Sequence, residues 1–521
     1  MLTDTARGIL LSLEVDTGGG GILRAMAARH EGTIELHAPF GTQDADLADL
    51  EGMAHLKSLD LAHTRITGRG LAHLRKLTHL ESLDLSGTRI RDADLEHLRG
   101  LTNLRALDLS DNGLTDRALA HLKGMVNLRK LNLRRNSLDG SGLLPFMGSG
   151  LLLELNMRST KIGDVQLAQL AGLRQLQSFD LGSTRITDAG LVHLGDMTQL
   201  RSLILDHTKV TGSGLAHLER LPKLKRLVLS HTKITDAGLQ HLRELKQLES
   251  LNLMSPLFGD MKIADGGLAC LSELTELRRL NLACAAVTDA GLRHLKGLSK
   301  LRDLNLWDTK ITDVGLSELE TLTQLRRLDL GLTAITDRGL AHLAKLTQLE
   351  WLCLLGTQVR DGGLLHLAAL TSLADLNLAQ TKTGDAGIAH LKKLKMLRDL
   401  DLSRTSVTDA GLKHLAPLAG LRSLHLRGTK LVGHGLAHLR GLTELRTLDL
   451  RHSLIGQLGF AELQRLGQIR ELDMRSSHVT DADVSDLKNL RQLEVLRVGG
   501  TPLTAGKLQE LKRALPNARV E

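Results

Sequence analysis

Residues 56–79 read LKSLDLAHTRITGRGLAHLRKLTH, and the same spacing of leucines returns every 24 residues along most of the chain. The consensus is LxxLxLxxTxITDxGLxHLxxLxx, with copies that begin at Leu56, Leu80, Leu104 and so on to Leu493. Nineteen copies fit, and the register shifts once, where five extra residues enter near 254–262. A short unit repeated in this way predicts a stack of similar coils instead of separate globular domains.

Each unit divides into a strand and a helix. The LxL segment is short and alternates with a period of two, which is typical of a strand, and DxGLxHLxxL spaces its leucines like a short helix. Stacked strands lie about 4.8 Å apart whereas helices are about 10 Å thick, so the stack must curve with its strands on the concave face. Below, positions are counted from the first residue of each 24-residue unit.

The predicted domains follow from the repeat. One coil cannot bury its own leucines, so the ends of the stack need caps. We expect an N-terminal cap over 1–31, a degenerate first repeat over 32–55, nineteen repeats over 56–516, and a C-terminal cap over 505–521 that overlaps the last repeat.

The string ITDAGL, at Ile186–Leu191 and Ile234–Leu239, resembles the leucine-rich repeats of bacterial GALA-type proteins and of eukaryotic F-box substrate receptors. The resemblance implies an α/β fold: a right-handed leucine-rich-repeat solenoid with parallel strands on the concave face and short helices on the convex face. It also implies a protein-recognition arm, which in some members delivers a bound protein to a ubiquitin ligase. A protein-binding scaffold is the first hypothesis, and the substrate receptor of a ubiquitin-ligase-like complex is the alternative.

Composition bears on the partners and the cellular compartment of the protein. It has 67 Lys and Arg against 59 Asp and Glu, a formal charge of +8 that mildly favours acidic partners. Three cysteines, Cys270, Cys284 and Cys353, are too few for a disulfide framework, which predicts a cytoplasmic protein, with a secreted effector as the alternative. No segment approaches the roughly 18 apolar residues that a membrane span needs.

Three polar columns recur through the units. Thr at the ninth position is predicted to satisfy backbone groups of adjacent coils, and Asp of the ITD triplet to cap the helix. His in GLxHL is predicted to be a hydrogen-bonded structural residue, because zinc needs ligands that converge at about 2.0–2.1 Å and these lie one per coil. No nucleophile is paired with a base, so the sequence predicts no enzyme, no cofactor and no metal.

Apolar residues interrupt the polar concave positions, which are the third, fifth, seventh and eighth. Interface energy concentrates in buried aromatic side chains, so an exposed group of this kind predicts a protein-binding site. The alternative is tryptophans packed under a neighbouring loop. The other phenylalanines, Phe40, Phe146, Phe179 and Phe460, are predicted to lie in or beside the core. The predicted anchors are Trp307, Leu332, Trp351 and Leu355, with Phe258 of the insertion nearby.

A group of arginines forms the second candidate site. Guanidinium groups on strands about 4.8 Å apart repel by about 1 kcal/mol per pair even in water. An acidic segment of a partner protein would relieve this repulsion, and so would the adjacent Asp449 and Asp473. Nucleic acid is disfavoured as a partner, because aromatic stacking residues are few and Asp interleaves the Arg. The predicted partner-binding arginines are Arg404, Arg427, Arg451 and Arg475.

Overall fold

The computed structural model describes residues 35–146, 151–255 and 261–521. Its contacts divide the chain into two compact units, residues 1–251 with 258–261, and residues 252–257 with 262–521. The predicted N-terminal cap over 1–31 and the candidate anchor Phe258 lie outside the described residues.

The LxL segment of every unit forms a very short parallel strand. In the first compact unit the strands β1 to β9 are Glu35–His37, Ser58–Asp60, Ser82–Asp84, Ala106–Asp108, Lys130–Asn132, Glu154–Asn156, Ser178–Asp180, Ser202–Ile204 and Arg226–Val228. Strand β10, Ser250–Asn252, spans the division. In the second compact unit β11 to β21 are Arg279–Asn281, Asp303–Asn305, Arg327–Asp329, Trp351–Cys353, Asp375–Asn377, Asp399–Asp401, Ser423–His425, Thr447–Asp449, Glu471–Asp473, Val495–Arg497 and Arg519–Val520.

Strand pairing keeps the repeat in register. Leu304 faces Leu328, and Leu328 faces Leu352, so paired residues lie one repeat apart in sequence. Each position of the consensus therefore becomes a column of stacked side chains.

The helical half of each coil is an α turn, a 3-10 turn or one followed by the other. Because a 3-10 helix rises about 2.0 Å per residue against about 1.5 Å for an α-helix, such turns cross the coil with few residues. The α segments are Gly68–Leu71, Asp116–Leu119, Asp164–Gln169, Asp188–Leu191, Asp236–Leu239, Asp265–Leu268, Asp289–Leu292, Asp313–Ser317, Asp337–Leu343, Asp385–Ile388, Gln457–Gln464, Val484–Leu487 and Ala505–Ala514. The 3-10 segments are Asp44–Leu50, Ala72–Lys76, Asp92–Leu98, Ala120–Leu122, Ser141–Phe146, Leu170–Gly172, Val192–Leu194, Ser213–Arg220, Gln240–Leu242, Ala269–Glu273, Arg293–Leu295, Asp361–Ala369, Ala389–Lys393, Leu412–Leu415, His434–Leu439 and Asp481–Asp483.

Seven apolar columns form the core. In the coil 301–324 they are Leu301, Leu304, Leu306, Ile311, Leu316, Leu319 and Leu322, all fully buried. Phe179 and Phe460 are buried as predicted, and the side chain of Phe146 lies outside the described residues. The prediction for Phe40 was wrong, because its side chain is 75% exposed. It lies in a turn closed by hydrogen bonds from Thr42 to the Pro39 carbonyl, which directs the ring outward.

The threonine column stabilises the turn that leaves the strand. Thr309 Oγ1 donates to the Leu306 carbonyl of its own coil at 2.7 Å, and most units repeat this bond. The prediction that these hydroxyls serve adjacent coils was therefore wrong. Where Asn replaces Thr, its side chain does bond to an adjacent coil: Asn112 Nδ2 donates to the Leu85 carbonyl of the preceding coil at 2.8 Å.

The aspartate of the ITD triplet joins one coil to the next. Thr312, and not the predicted Asp, caps the helix Asp313–Ser317 by accepting the Val314 N–H. Asp289 of the preceding coil accepts the N–H and the hydroxyl of Thr312 at 2.8 and 2.6 Å. We call this pair of bonds the Asp–Thr link. The other aspartates that form one among the described residues are Asp44, Asp92, Asp164, Asp188, Asp265, Asp313, Asp385 and Asp481.

The glycine of the DxG pattern leaves room for this link. A methyl group placed on Gly315 would lie 2.4 Å from Asp289 Oδ1, well inside van der Waals contact. The consensus ITDxGL therefore encodes a contact between coils. Thr caps the helix of its own coil and donates two hydrogen bonds to the Asp of the preceding coil. Asp accepts the same two bonds from the Thr of the following coil, and Gly leaves room for that carboxylate.

Candidate partner-binding surface

We call the side chains at the third, fifth, seventh and eighth positions the strand face. At the fifth position Asp or Asn accepts the backbone N–H two residues later: Asn305 accepts from Trp307 at 2.9 Å and Asp329 from Gly331 at 3.0 Å. This column therefore stabilises the end of the strand. The seventh and eighth columns have no such shared backbone role for their side chains.

The eighth position turns the chain out of the strand. Its residue adopts the left-handed backbone region in almost every coil, with φ between 51° and 60° for all the non-glycine cases. Bulky side chains are disfavoured in this region, because Cβ approaches the following carbonyl oxygen. Leu332 nevertheless occupies it with φ 55°, and its side chain is 44% exposed.

Long side chains at the seventh and eighth positions lie across a glycine at the same position of the next coil. A methyl group on Gly331 would lie 2.4 Å from the Trp307 ring, and one on Gly356 would lie 2.6 Å from Leu332 Cδ2. We call these glycines seats, because each supports the side chain from the preceding coil. The other pairs of this kind are His63 on Gly87, Arg158 on Gly182 and Arg404 on Gly428.

The structure brings together three of the four described apolar candidates. Trp307, Leu332 and Leu355 hold the seventh or eighth position of successive coils, and each is at least partly exposed. The Leu332 N–H donates to the Leu355 carbonyl at 2.7 Å. Trp351 lies at the third position, four residues and about 13 Å along the strand from Leu355. Its ring is covered by the Arg327 guanidinium, 4.6 Å from the ring centroid, a contact the sequence did not reveal.

Two of the four candidate arginines are neutralised within their own coil. Arg451 pairs with Asp449 at 2.5 Å, and Arg475 pairs with Asp473 at 2.7 Å. The internal network that the sequence left open is therefore present for these two residues.

Arg404 and Arg427 differ from that pair. Neither forms an ion pair with any carboxylate in the part of the chain that the structure describes. Arg427 Nη2 lies 3.2 Å from His452 Nε2, and Arg427 Nε is buried without a hydrogen-bond partner among the described residues. Arg404 is exposed and lies across Gly428.

A half-buried histidine explains why Arg427 lacks an acid. The residue two positions earlier, where Arg451 and Arg475 have Asp, is His425. The facing carboxylates of Asp399 and Asp449, at 3.7 and 3.8 Å, raise the pKa of His425 to about 10 and outweigh its burial. Burial raises the pKa of Asp449, but His425 and Arg451 together hold it well below its ordinary value. Arg427 takes part in none of the ion pairs of this network.

The strand face of the first compact unit holds an acidic trough. This trough of about 400 Å³ crosses β3 to β8, and its lining includes Asp84, Asp108, Glu154 and Asp180. Burial is the main cause of the raised pKa of both Asp84 and Asp180.

The histidine column has the predicted structural role in several coils. His73, His241 and His342 bond to a glutamate of the preceding coil at 2.6, 3.1 and 2.7 Å. Within the described ranges, no three His, Cys, Asp or Glu side chains are placed to share a metal ion. The described helices also include none with the length and apolar content to cross a membrane.

Comparison with known families agrees with this architecture. A family described as a leucine-rich repeat region matches residues 262–429, and one described as leucine rich repeat matches 54–114, 78–138 and 198–255. Together these matches cover more than half of the chain, which therefore belongs to the leucine-rich-repeat proteins. The predicted fold class, a leucine-rich-repeat solenoid of parallel strands and short helices, is confirmed. The matches do not distinguish the GALA or F-box type, and no curated protein sequence matches.

Solved structures are similar in fold. A chain of the TLR13–ssRNA13 complex is 18% identical with a TM-score of 0.52, covering 89% of this chain and 84% of that chain. A chain of the mouse RP105/MD-1 complex is 19% identical with a TM-score of 0.50, covering 90% and 86%. A leucine-rich-repeat protein of Leptospira interrogans is 20% identical with a TM-score of 0.46, covering 91% and 97%. At these identities the likeness concerns the fold alone.

Proposed function

We propose that this protein is a binding scaffold that recognises a partner protein on the strand face of its second compact unit. Trp307, Leu332 and Leu355 are the apolar anchors, and Trp351 flanks them at the other end of the strand. Partly exposed aromatic and leucine side chains on a rigid sheet are typical of the residues that contribute most to interface energy.

The observation that carries the proposal is the state of Leu332. This side chain is 44% exposed, and its backbone has a conformation that disfavours leucine. Other coils place Ser, Asp, His, Arg, Gln, Cys or Gly at the same position and keep the same turn. Leucine is therefore not required by the turn there, and we attribute its presence to an interaction with another molecule.

The charges of the strand face favour protein over nucleic acid. One similar structure is, by its name, a complex with ssRNA13, so RNA is the competing ligand. In this chain the arginines alternate with aspartates: Asp449 and Asp473 neutralise Arg451 and Arg475. RNA binding without sequence preference needs a continuous basic groove and several aromatic platforms. The chain has two tryptophans and an acidic trough in its first unit.

The test is a pull-down with the immobilised full-length protein. We expect Trp307→Ala and Leu332→Asn to lose a specific protein that the wild type retains, because loss of a hot-spot residue costs about 2 kcal/mol or more. The matched control is Val314→Ala, which removes an apolar side chain that is 69% exposed on the helix side of the same unit.

The pull-down also defines how the proposal fails. Circular dichroism first establishes that every variant is folded. If folded Trp307→Ala and Leu332→Asn keep the same partners as Val314→Ala, the strand-face proposal is wrong. If the retained molecule is RNA, and nuclease treatment abolishes retention, the nucleic-acid hypothesis replaces it. A ubiquitin-ligase role lies outside the proposal, because the matched families describe leucine-rich repeats in general.

A further inference from the structure

Arg404, Arg427 and His452 form a cluster at the end of the strand face. Arg404, Gly428 and His452 hold the eighth position of three consecutive coils, with φ of 56°, 61° and 54°. Arg404 Cγ lies 3.4 Å from the place of a Gly428 methyl group, so its side chain packs on Gly428, in the coil between Arg404 and His452. Arg427 Nη2 lies 3.2 Å from His452 Nε2. The Arg404 side chain therefore lies against the coil that carries Arg427, and the Arg427 guanidinium contacts the imidazole of the following coil.

The cluster lacks an anion of its own. Its two arginines form no ion pair with a described carboxylate, whereas Asp399, Asp449 and Asp473 pair with His425, Arg451 and Arg475. Arg427 Nε is buried and has no acceptor among the described residues. A buried donor without an acceptor is unfavourable, and neither arginine has a counter-charge of its own. An oxyanion bound to the guanidinium groups would supply the counter-charge that Asp449 and Asp473 give to Arg451 and Arg475.

We propose that Arg404, Arg427 and His452 bind a phosphate monoester carried by the partner protein. This inference rests on the proposed function and extends its binding surface. A phosphate monoester carries about −1.5 to −2 charges and three acceptor oxygens, which suits two guanidinium groups and an imidazole. A carboxylate has one charge and two oxygens, and a single guanidinium satisfies it in a bidentate pair.

The experiment is a titration of the full-length protein with phosphoserine, followed by the ³¹P linewidth. The wild type is expected to bind, and Arg404→Gln/Arg427→Gln to bind at least about tenfold more weakly, because each charge-assisted hydrogen bond contributes more than a tenfold change in affinity. The matched control is Arg293→Gln/Arg338→Gln, which removes two exposed arginines from the helical segments of the same compact unit. This control is expected to bind like the wild type.

Further arms separate the sources of the anion. Inorganic phosphate and a phosphoserine peptide are titrated in parallel, and glutamate is the competitor. Binding of the peptide at least as tight as that of inorganic phosphate supports a partner-borne group, and binding of inorganic phosphate alone overturns it. Displacement by glutamate at equal concentration shows a general anion patch and overturns the phosphate assignment.

Two other results overturn the proposal. One is equal binding by the wild type and Arg404→Gln/Arg427→Gln, and the other is no phosphate binding by the wild type. The titration needs no partner protein and leaves Trp307 and Leu332 intact. Its failure is therefore distinguishable from failure of the pull-down, which tests the apolar anchors.

Discussion

Leu332 shows how a single residue can oppose the stability of its own coil. Its φ of 55° places a bulky side chain in the left-handed region, which costs about 1–2 kcal/mol. Asn tolerates this conformation better. We expect Leu332→Asn to raise the free energy of unfolding by about 1 kcal/mol, measured from the urea midpoint, while it weakens partner binding.

The control for Leu332→Asn is Ser183→Asn, at the equivalent position of another coil with the same φ of 55°. That variant replaces a small polar residue and is expected to change stability little. A lower urea midpoint for Leu332→Asn than for the wild type would mean that packing on Gly356 outweighs the strain, and the functional argument from Leu332 would fail.

His425 predicts a pH dependence of stability. Its pKa is about 10 in the folded protein, because Asp399 and Asp449 face it, against an ordinary value of 6.5. The folded state therefore keeps a proton that the unfolded state loses above pH 6.5, so the stabilisation is complete below that pH and disappears as the pH rises toward 10. We expect the wild type to exceed His425→Gln in urea midpoint clearly at pH 6 and much less at pH 10.

The comparison needs a histidine variant outside the network. His438→Gln changes an exposed histidine in the helical half of the same coil. The difference between wild type and His438→Gln is expected to be small and to vary little from pH 6 to pH 10. A His425→Gln curve parallel to that of the wild type would contradict the ion-pair network.

At the scale of the coil, the sequence predicts the secondary structure within a coil better than the contacts between coils. The leucine spacing predicts strand, helix and buried columns correctly. The Asp289–Thr312 link and the seat of Trp307 on Gly331 each join residues about one repeat apart, so a motif read along the chain assigns Asp to its own helix. Comparison of the same column in successive units would have found the glycine seats.

The Asp–Thr link makes a prediction about glycine. Gly315→Ala is expected to displace Asp289 Oδ1, which lies 2.4 Å from the place of the new methyl group. Loss of two hydrogen bonds to a charged group should lower the free energy of unfolding by about 2–4 kcal/mol, measured in urea.

The matched control is Gly297→Ala in the neighbouring coil, where a methyl group would contact nothing within 4 Å. Its stability is expected to stay within about 0.5 kcal/mol of the wild type. Equal urea midpoints for the two alanine variants would show that Asp289 moves at no cost and that the link contributes little.

At the scale of the molecule, the candidate site was harder to predict than the fold. The sequence identified Trp307, Leu332 and Leu355 because apolar residues stand out in polar columns. It did not separate Arg427 from Arg451, although both hold the seventh position, because the difference depends on what lies two residues earlier. His425 stands where the next two coils have the aspartate that pairs with the arginine, so Arg427 has no carboxylate in its own coil. His425 pairs instead with Asp399 and Asp449, which belong to the two adjacent coils.

If each coil contacts only its neighbours, substitutions in distant coils should change stability independently. In the second compact unit the main contacts between elements join the same or adjacent coils. Gly315 and His425 lie five coils apart, about 24 Å along the stack of strands, which exceeds the 7–10 Å over which substitutions usually couple. We expect the loss of unfolding free energy in Gly315→Ala/His425→Gln, measured in urea at pH 7, to equal the sum of the two single losses within about 0.5 kcal/mol. A discrepancy above about 1 kcal/mol, with unchanged m-values, would mean that strain passes through intervening coils, and a partner bound at Trp307 would then be sensitive to the charge network around Arg427.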